Sequence, residues 1–435
     1  MKEKVLLFSL IIFVLIFSLG YSTPVKLTMW KWGTDPAVDP VLQQLVEEWN
    51  KLHPDATIEL LILPELSEAE FILKIEQATE AGQGPDIIVG NDVIAPVLAY
   101  DGFLEPVPEE VLKEVKSALL PSYDGLLYFM GPDGIKRPYV AAFQIFGHFV
   151  LFVNDEHLAG IGYPENWCPE DWNELVEAAS KLTIRDPSTG ELKRAGMYVR
   201  VTGHIGGVTD KFDTWLRSAG GRFLWCENGE WKTDINSEPG KRALNLYLDL
   251  LYKHKVYEVG FPGDTIPGFV NGLVSMNYRK TFHIAVVTKE KPDLKFHVCP
   301  IPGYNGTKSS VSTAGYNTFS VNSKSSDEAK KWAWEFIKWY NKPEQIMRIG
   351  NEVNNWLPYK SVAENPPFKG NPLWEAAAKV PRVEPRAVHP KMGIIYNIAG
   401  KYIQLALLKD MSPIDALNAA ADEILEIANE IPCKG

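Results

Sequence analysis

The residues of this chain best suited to chemistry are aromatic rings set among polar side chains. The sequence holds 13 tryptophans, more than packing usually needs. A planar ring beside hydrogen-bonding groups suits a sugar, which has an apolar C–H face and a polar rim. Simple burial is the alternative, because tryptophan is buried on average. Six tryptophans lie in polar, glycine-containing stretches of sequence: Trp30, Trp32, Trp215, Trp225, Trp231 and Trp356. Five others lie in helical patterns, where we expect them to pack in the core or on the helix surface: Trp49, Trp172, Trp332, Trp334 and Trp339.

Motifs for metal, redox or nucleophilic chemistry do not occur in the sequence. Cys168, Cys226, Cys299 and Cys433 are widely separated and form no Cys-x-x-Cys pair. One disulfide could form outside the cytoplasm, but the sequence does not say between which cysteines. The 8 histidines are isolated, and no Gly-x-Ser-x-Gly or phosphate-binding glycine loop is present. We therefore predict no metal and no other cofactor.

The first 22 residues have the pattern of a cleavable export signal. Lys2 and Lys4 precede an apolar run over residues 5–19, and small residues follow at 20–22. The run is shorter than the roughly 20 residues that span a bilayer, and no cysteine follows it for lipid attachment. We predict a mature chain that begins near Thr23 in the periplasm, without a lipid anchor. An uncleaved membrane anchor is the alternative.

Length and charge limit the class of protein. About 410 mature residues are too many for one ordinary core, so we expect two domains. The composition, 46% hydrophobic and 23% charged, is that of a globular protein. The formal net charge is −11. Lys2, Lys4 and Glu3 contribute +1 of it, which leaves −12 for the mature chain. Such a charge disfavours nucleic acid and anionic membranes as partners.

Strand and helix patterns alternate at the start of the mature chain. This succession predicts right-handed βαβ units on a parallel sheet. Ligands bind beyond the carboxyl ends of such strands, here at residues 30–35 and 90–92. Strands are predicted over 25–30, 57–63 and 87–89, and helices over 41–52 and 68–81.

Further along, an extended apolar segment over 138–153 predicts a strand that passes from one domain to the other. A turn or hairpin tip is predicted at 186–190. Helices are predicted over 169–182, 237–254 and 327–340, the last capped by Ser326, and from Ser412-Pro413 towards the end of the chain.

Seven short motifs follow one another in the chain, at residues 27–33, 46–54, 81–88, 123–128, 166–175, 269–276, and 300–303 with 314–321. Each motif is weak alone, but their order resembles the extracellular solute-binding proteins of ABC importers, the sugar-binding group that includes maltodextrin-binding proteins. The resemblance implies an α/β, two-lobe periplasmic-binding-protein fold of type II. Each lobe would be a mixed, mostly parallel sheet flanked by helices, with the ligand cleft between the lobes.

Three departures from the family pattern concern the ligand. Val153-Asn154 stands where the family usually has Tyr-Asn. Residues 130–136 form an insertion, and Phe282 occupies a position that usually holds tryptophan.

The resemblance also implies the candidate binding residues. In the N-terminal lobe they are Trp30, Trp32 and Asp35 at the end of the first strand and Asn91 and Asp92 after the third. Gln144 and its neighbour Phe143 follow the first crossover, where they either face the cleft or serve only as a hinge. In the C-terminal lobe and at the later crossovers the candidates are Asp210, Asp213, Trp215, Arg279, Phe282, Tyr316, Asn317, Trp356 and Tyr396. Trp32 and Trp215 are expected to stack on opposite sides of the ligand.

We expect the N-terminal lobe to comprise 24–142 plus 316–365 and the C-terminal lobe 143–314 plus 366–435. Three crossovers would join them, near 141–144, 313–317 and 363–372. Short linkers of this kind permit hinge closure.

The implied function is passive binding of a mono- to oligosaccharide or a sugar-like polyol, followed by delivery to the membrane permease subunits of an ABC importer. We expect a monomer without enzymatic activity. One alternative is a non-sugar solute such as a polyol phosphate, a peptide or a polyamine. Arg217, Arg279 and Lys280 could pair a phosphate, although solvated surface charge is the plainer interpretation. Another alternative is an exported glycosidase, which needs two carboxylates about 5 Å or about 6.5–9.5 Å apart.

Overall fold

The computed structural model describes residues 24–63, 66–262, 266–304, 312–380, 383–386 and 389–433. The predicted export signal lies outside these residues. Helices flank a mixed ten-stranded sheet, and two small two-stranded sheets accompany it in the described part of the chain. The architecture is therefore α/β, as the sequence predicts.

The strands are numbered in chain order. They are β1 Val25–Trp32, β2 Ala56–Leu63, β3 Ile87–Asn91, β4 Tyr128–Met130, β5 Lys136–Pro138, β6 Ala142–Asn154, β7 Ile184–Arg185, β8 Leu192–Met197, β9 Trp225–Glu227, β10 Glu230–Lys232, β11 Val274–Lys280, β12 Phe296–Cys299, β13 Ser312–Val321 and β14 Val383–Glu384.

The α-helices are numbered in the same way. They are α1 Asp39–Leu52, α2 Glu68–Glu80, α3 Ile94–Tyr100, α4 Glu109–Ala118, α5 Asp155–Ala159, α6 Trp172–Leu182, α7 Ile205–Ser218, α8 Glu238–Leu248, α9 Ile266–Val270, α10 His283–Glu290, α11 Asp327–Tyr340, α12 Pro343–Val353, α13 Lys360–Ala363, α14 Pro372–Ala378, α15 Met392–Leu407 and α16 Pro413–Asn429. A 3₁₀ helix covers Pro121–Leu127, and one π-helical turn, Asp249–Lys253, extends α8.

The first strands form the predicted parallel unit. β1 pairs in parallel with β2 on one side and with β3 on the other. The helix that follows β2 begins with a capping box, in which Ser67 accepts from the backbone N–H of Glu70 and Glu70 accepts from that of Ser67. The carboxyl ends of β1 and β3 therefore meet at one edge of the sheet, where the sequence places candidate binding residues.

Strands β6 and β13 join the two parts of the sheet. The strand order along the large sheet is β2-β1-β3-β13-β6-β11-β8-β7. β6 pairs with β13 from Ala142 to His148 and with β11 from Phe149 to Val153. The apolar strand predicted over 138–153 is confirmed as β6, but it starts at Ala142 and ends at Asn154.

Two hydrophobic cores lie on the two faces of β6. Val150 and Phe152 belong to the first core, which also holds residues of β1, β3, β13 and α11. Leu151 and Val153 belong to the second, with residues of α6, α7, α15 and α16. Successive side chains of a strand point to opposite faces, so one strand can serve both cores.

Some details differ from the sequence predictions. The helix expected from Pro169 starts at Trp172, because Asp171 caps it by accepting from the backbone N–H of Glu174. Two disulfides are present where one was considered, Cys168–Cys299 and Cys226–Cys433. The insertion at 130–136 covers the last residue of β4, the turn and the first residue of β5. Ser326 and Ser412 cap their helices as predicted.

Candidate functional site

Four charged side chains from separate segments meet where the two parts of the sheet join. The Asp92 carboxylate, directly after β3, lies 2.9 Å from Nε of Arg386, in the loop after β14. The same Nε lies 3.6 Å from Asp210 on α7. The other Asp210 oxygen lies 3.0 Å from Nζ of Lys280, at the end of β11. We call Asp92, Arg386, Asp210 and Lys280 the ionic bridge, because they connect segments far apart in the chain.

Asp210 is held in its ionised form by this arrangement. Burial alone would raise the pKa of its carboxyl group, but Lys280, Arg386 and Lys211 outweigh that effect and lower the pKa to about 2. At neutral pH this carboxylate can only accept hydrogen bonds. It is therefore suited to receive hydroxyl donors from a ligand.

A cavity of 320 Å³ opens beside the ionic bridge. Glu68 and Val93 line it from the β1–β3 part of the molecule, and Asp210, Arg386 and Tyr396 line it from the other side. A larger cavity of 690 Å³ lies between α6 and α8 and contains no member of the ionic bridge. We take this 320 Å³ cavity as the site, because charged groups of helices α2 and α7 and of the loop after β14 line it together.

A pair of glycines forms the strand surface next to the bridge. Gly147 of β6 and Gly315 of β13 are directly opposite each other in the ladder. A Cβ atom on Gly315 would lie 2.6 Å from Nζ of Lys280, and one on Gly147 would lie 2.5 Å from the ring of Phe282. An ammonium group and an aromatic ring therefore rest directly on the backbone of this strand pair. The aromatic ring is that of Phe282, one of the predicted site residues.

The remaining predicted polar residues lie close to the bridge in sequence and in the ladder. Asn91 precedes Asp92, and its Oδ1 accepts from the backbone N–H groups of Val93 and Ile94, just before and at the start of α3. Asn317 pairs with Asn91 across β13 and β3. Arg279 precedes Lys280, and its guanidinium lies 5.8 Å from the ring centre of Tyr198. Part of the hydrogen-bonding capacity of Asn91 is thus used by backbone groups of its own segment.

Gln144 and Tyr396 are buried polar residues of this region. Gln144 on β6 is 1% exposed, and neither atom of its side-chain amide has a hydrogen-bond partner among the described residues. An unpaired buried amide is costly, so a ligand or water that paired it would be favoured. The Tyr396 hydroxyl donates to Asp213, and its ring forms part of the cavity wall.

The three candidates at the end of β1 contact residues of the first part of the chain and are not among those that line the cavity. The rings of Trp30 and Trp32 are half-buried against the first core. Trp32 Nε1 donates to the carbonyl of Leu66 at 2.9 Å, and Lys74 lies 5.6 Å from the ring centre of Trp30. Asp35 accepts from the backbone N–H groups that follow it, so its carboxylate stabilises a turn.

Three aromatic candidates lie inside the cores and offer no surface to the cavity. Trp215 is 0% exposed and packs edge-on against Trp172 and Tyr278. The expectation that Trp215 stands at a cleft surface is therefore corrected: residues 211–218 of α7 are all buried, so Trp215 lies in a fully covered part of the helix. Tyr316 and Trp356 both pack against Phe146 in the first core, on the strand face opposite Gly315.

Sequence reasoning missed Arg386 altogether. It lies in an irregular loop between prolines, where neither periodicity nor a motif marks it. The expectation of solvated charge is also wrong for Lys280, which is 7% exposed, and for Arg217, which is buried in ion pairs with Asp213 and Glu384. Lys211 is 4% exposed in the middle of α7. Its neighbours in sequence include Thr209, Asp210, Asp213 and Thr214, so no apolar pattern marked it as buried.

Comparison with known proteins defines the class. The family model described as bacterial extracellular solute-binding protein matches residues 33–347. The chain therefore belongs to that family. An uncharacterised lipoprotein of Streptomyces antibioticus is 23% identical over 362 residues, which cover 77% of this chain and 70% of that protein.

Several solved structures of similar fold are described as sugar-binding proteins or as bound to a sugar. A cyclic α-maltosyl-1,6-maltose binding protein from Arthrobacter globiformis has a TM-score of 0.75 at 20% identity, covering 94% of this chain and 100% of that one. The sugar-binding protein MalE from Xanthomonas citri has a TM-score of 0.77 at 16% identity, covering 93% and 98%. A solute-binding protein from Thermotoga lettingae, bound with α-D-tagatose, has 0.73 at 21%, covering 93% and 100%. The predicted two-lobe α/β fold is confirmed.

Within the described residues, no helix is long and apolar enough to cross a membrane.

Proposed function

We propose that this protein binds a carbohydrate, a mono- to oligosaccharide or a sugar-like polyol, between two lobes. The observation that carries the proposal is the ionic bridge beside a cavity that α2, α7, α15 and the loop after β14 line together. Family membership supports solute binding, and several structures of the same fold are described as binding sugars. The particular sugar depends on the groups that remain accessible in that cavity.

The chemistry of the site suits a polyhydroxylated ligand. Carboxylates such as Asp210 accept from hydroxyl groups, while Arg386, which also lines the cavity, can donate to hydroxyl oxygens. A buried hydroxyl left without a partner costs about 1–3 kcal/mol. Fixed donors and acceptors therefore distinguish epimers, because a misplaced hydroxyl loses its partner.

Binding would act by hinge closure of two lobes, 24–142 plus 316–365 and 143–314 plus 366–435. β6 and β13 are the strands along which pairing passes from one part of the sheet to the other. Asp92 belongs to the first of these lobes and Asp210 to the second, so the ionic bridge spans them. A ligand favours closure only if it binds the closed state more tightly than the open state.

Limited proteolysis tests this division. Because each lobe comprises two separate stretches of chain, a cut near 143 should leave fragments that stay associated. Two independently stable, contiguous halves would contradict it.

The bound solute would then pass to the permease subunits of an ABC importer, with the protein a monomer in the periplasm. Membership of the extracellular family supports this location and partner. Whether the mature chain carries a lipid is a separate matter, because one relative is a lipoprotein. Mass spectrometry of the processed N-terminus distinguishes a protein that begins near Thr23 from a lipidated one.

Binding without turnover is the favoured form of the function. A glycosidase needs one carboxyl group that is protonated near neutral pH. The pKa of Asp210, which lines the cavity, is instead lowered to about 2. Incubation with oligosaccharides followed by a reducing-end assay tests this, and catalytic product formation would support the enzyme.

Thermal unfolding and calorimetric titration with a broad panel of sugars test the proposal as a whole. Ligand at a hundred times its dissociation constant should add about 2.7 kcal/mol to stability, seen as a rise in Tm. Asp210→Asn should weaken binding about tenfold, or 1.4 kcal/mol. The matched control is Asp186→Asn, in the turn between β7 and β8, where asparagine can accept the same backbone hydrogen bonds. No response to any sugar in the panel would count against a sugar ligand.

A further inference from the structure

An imidazole lies directly beside the disulfide Cys168–Cys299. His297 and Cys299 are two residues apart on β12, so their side chains project from the same face of the strand. Cys168 comes from the loop before α6. A ring nitrogen of His297 and the two sulfurs all lie within 4.8 Å of one another. In the part of the chain that the structure describes, no other group of three histidine, cysteine or acidic side chains is held together in this way.

A carboxylate fixes one nitrogen of this ring. Nδ1 of His297 lies 2.5 Å from the carboxylate of Asp155, the first residue of α5. A carboxylate can only accept, so Nδ1–H donates to it, and Nε2 is the nitrogen that a metal ion could use. Histidines that ligate metals commonly donate their other N–H to a carboxylate. Such a partner orients the ring and makes it a stronger ligand.

The Nε2 side of the ring faces the cysteines. Nε2 donates to the backbone carbonyl of Trp167 at 2.8 Å, and Sγ of Cys299 lies 3.8 Å from the same oxygen. Trp167 directly precedes Cys168, so this carbonyl, the two sulfurs and Nε2 come together in one place. The surrounding oxygens favour positive charge on the ring, which a metal ion would supply in place of the Nε2 proton. Two thiolates and an imidazole are ligands typical of zinc.

Space beside the ring gives an ion access to it. His297 and Asn166 line a cavity of 540 Å³ together with Phe296 and the segment 367–373. His297 is 7% exposed and Cys168 is half-buried. The donors are therefore held within the packed structure, and the cavity supplies the entry path that a metal site needs.

We propose that reduction of the disulfide Cys168–Cys299 converts this cluster into a zinc site. Cys168, Cys299 and His297 are its ligands, and the fourth position is left to water or to the carbonyl of Trp167. Asp155 is a positioning residue, because it acts through the ring of His297. The spacing in the sequence did not mark the site, since the two cysteines are 131 positions apart. The inference is independent of the carbohydrate site.

The sulfurs become ligands only after reduction, because the thiolate is the form of cysteine that binds metal. A dithiol reductant supplies two electrons and two protons. The bond between Cys168 and Cys299 breaks, the reductant closes its own disulfide, and two thiols remain. Zn²⁺ then bonds to both sulfurs and to Nε2 of His297, and one proton leaves each of these three atoms for solvent.

Metal titration of the mature protein in its two redox states tests this inference. The dithiol is removed without air, and Zn²⁺ is added, or Co²⁺, whose visible spectrum reports tetrahedral thiolate ligands. The reduced protein should bind one ion per chain with a rise in Tm, and the oxidised protein should not respond. Binding by both states would reveal other metal sites and overturn the inference, as would no binding by the reduced state. If the reduced chain unfolds, zinc should restore the fold, and its failure to do so would also overturn the inference.

The other disulfide provides a matched control, because Cys226 and Cys433 belong to no such cluster among the described residues. The double variant Cys226→Ser/Cys433→Ser should keep zinc binding in the reduced state. The double variant Cys168→Ser/Cys299→Ser should lose it. Equal zinc binding by these two variants would contradict the assignment.

Variants that leave both disulfides in place test the imidazole and its carboxylate. In the reduced protein, Asp155→Asn should weaken zinc binding about 10–100-fold, because the ring loses its orienting partner. His297→Gln should weaken it at least as much, and it gives the comparison if the Cys168→Ser/Cys299→Ser protein does not fold. Glu156→Gln, at the neighbouring exposed position of α5, is the control and should have no effect. Unchanged affinity in His297→Gln would contradict the site, while sugar binding in these variants reports separately on the proposed function.

Discussion

At the scale of single residues, a tryptophan contributes to binding only through the part of its ring that a ligand can reach. Trp32 is half-buried and uses its indole nitrogen to bond the carbonyl of Leu66, which fixes the ring at the end of β1. Trp215 is completely enclosed by the second core. The two rings therefore differ in what their removal should do.

Trp32→Ala should weaken ligand binding by about tenfold, or 1.4 kcal/mol, with little change in Tm. Trp215→Ala should instead lower the free energy of unfolding by about 3–5 kcal/mol, as core tryptophans do, because it leaves a cavity between Trp172 and Tyr278. Thermal unfolding without ligand and calorimetric titration separate the two effects. A stable Trp215→Ala protein that has lost only binding would restore that ring to the cleft surface.

At the scale of elements, α15 owes its position to a close approach to α7. Gly400 lies in the middle of α15, where a Cβ atom would be 2.3 Å from the backbone carbonyl of Ile205. Gly393, near the start of the same helix, has open space around its Cα. This packing places Tyr396 on the cavity wall beside Asp210.

Gly400→Ala should therefore destabilise the protein by more than about 1 kcal/mol, because backbone atoms must move apart. Gly393→Ala on the same helix should be neutral or stabilising by up to about 1 kcal/mol, since alanine has the better helix propensity. Denaturant unfolding of both variants gives the comparison. Equal stability of the two would mean that α15 and α7 are not in this close contact.

At the scale of the whole molecule, buried histidines couple stability to pH. His148 and His389 are both 0% exposed, and burial lowers the pKa of each to about 4. Each ring nitrogen Nε2 contacts a backbone carbonyl, of Ala377 and of Ala428 respectively. Their ordinary pKa is about 6.5, so the unfolded chain binds protons first as the pH falls.

The free energy of unfolding should consequently be unaffected by these groups above pH 6.5 and fall as the pH drops from 6.5 towards 4. Each histidine should cost about 1.4 kcal/mol per pH unit, or about 2 kcal/mol at pH 5. Urea unfolding at several pH values measures this slope. His148→Phe, among the rings of Tyr123, Phe146 and Trp356, should remove one histidine's share of the slope. An unchanged slope in that variant would contradict the assignment.

The sequence by itself determined the elements and their order. The periodicity of β1, α1, β2, α2 and β3 predicted a parallel unit that the structure confirms, because local hydrophobic spacing already selects helix or strand. Ordered motifs also gave the family and the two-lobe fold. These signals are local, so they can be read along the chain without knowledge of which segments later meet.

Only the tertiary structure decided which side chains share the cavity. Arg386 joins Asp92 to Asp210 across almost 300 positions of sequence, and no local pattern records such a contact. Burial was equally hidden. Trp215 and Lys211 lie in the covered stretch 211–218 of α7, so a tryptophan predicted at the cleft is in the core, and a lysine that the sequence did not mark is buried. The physical reason is that exposure and electrostatic environment depend on distant segments packing together, whereas secondary structure depends mainly on neighbours in the chain.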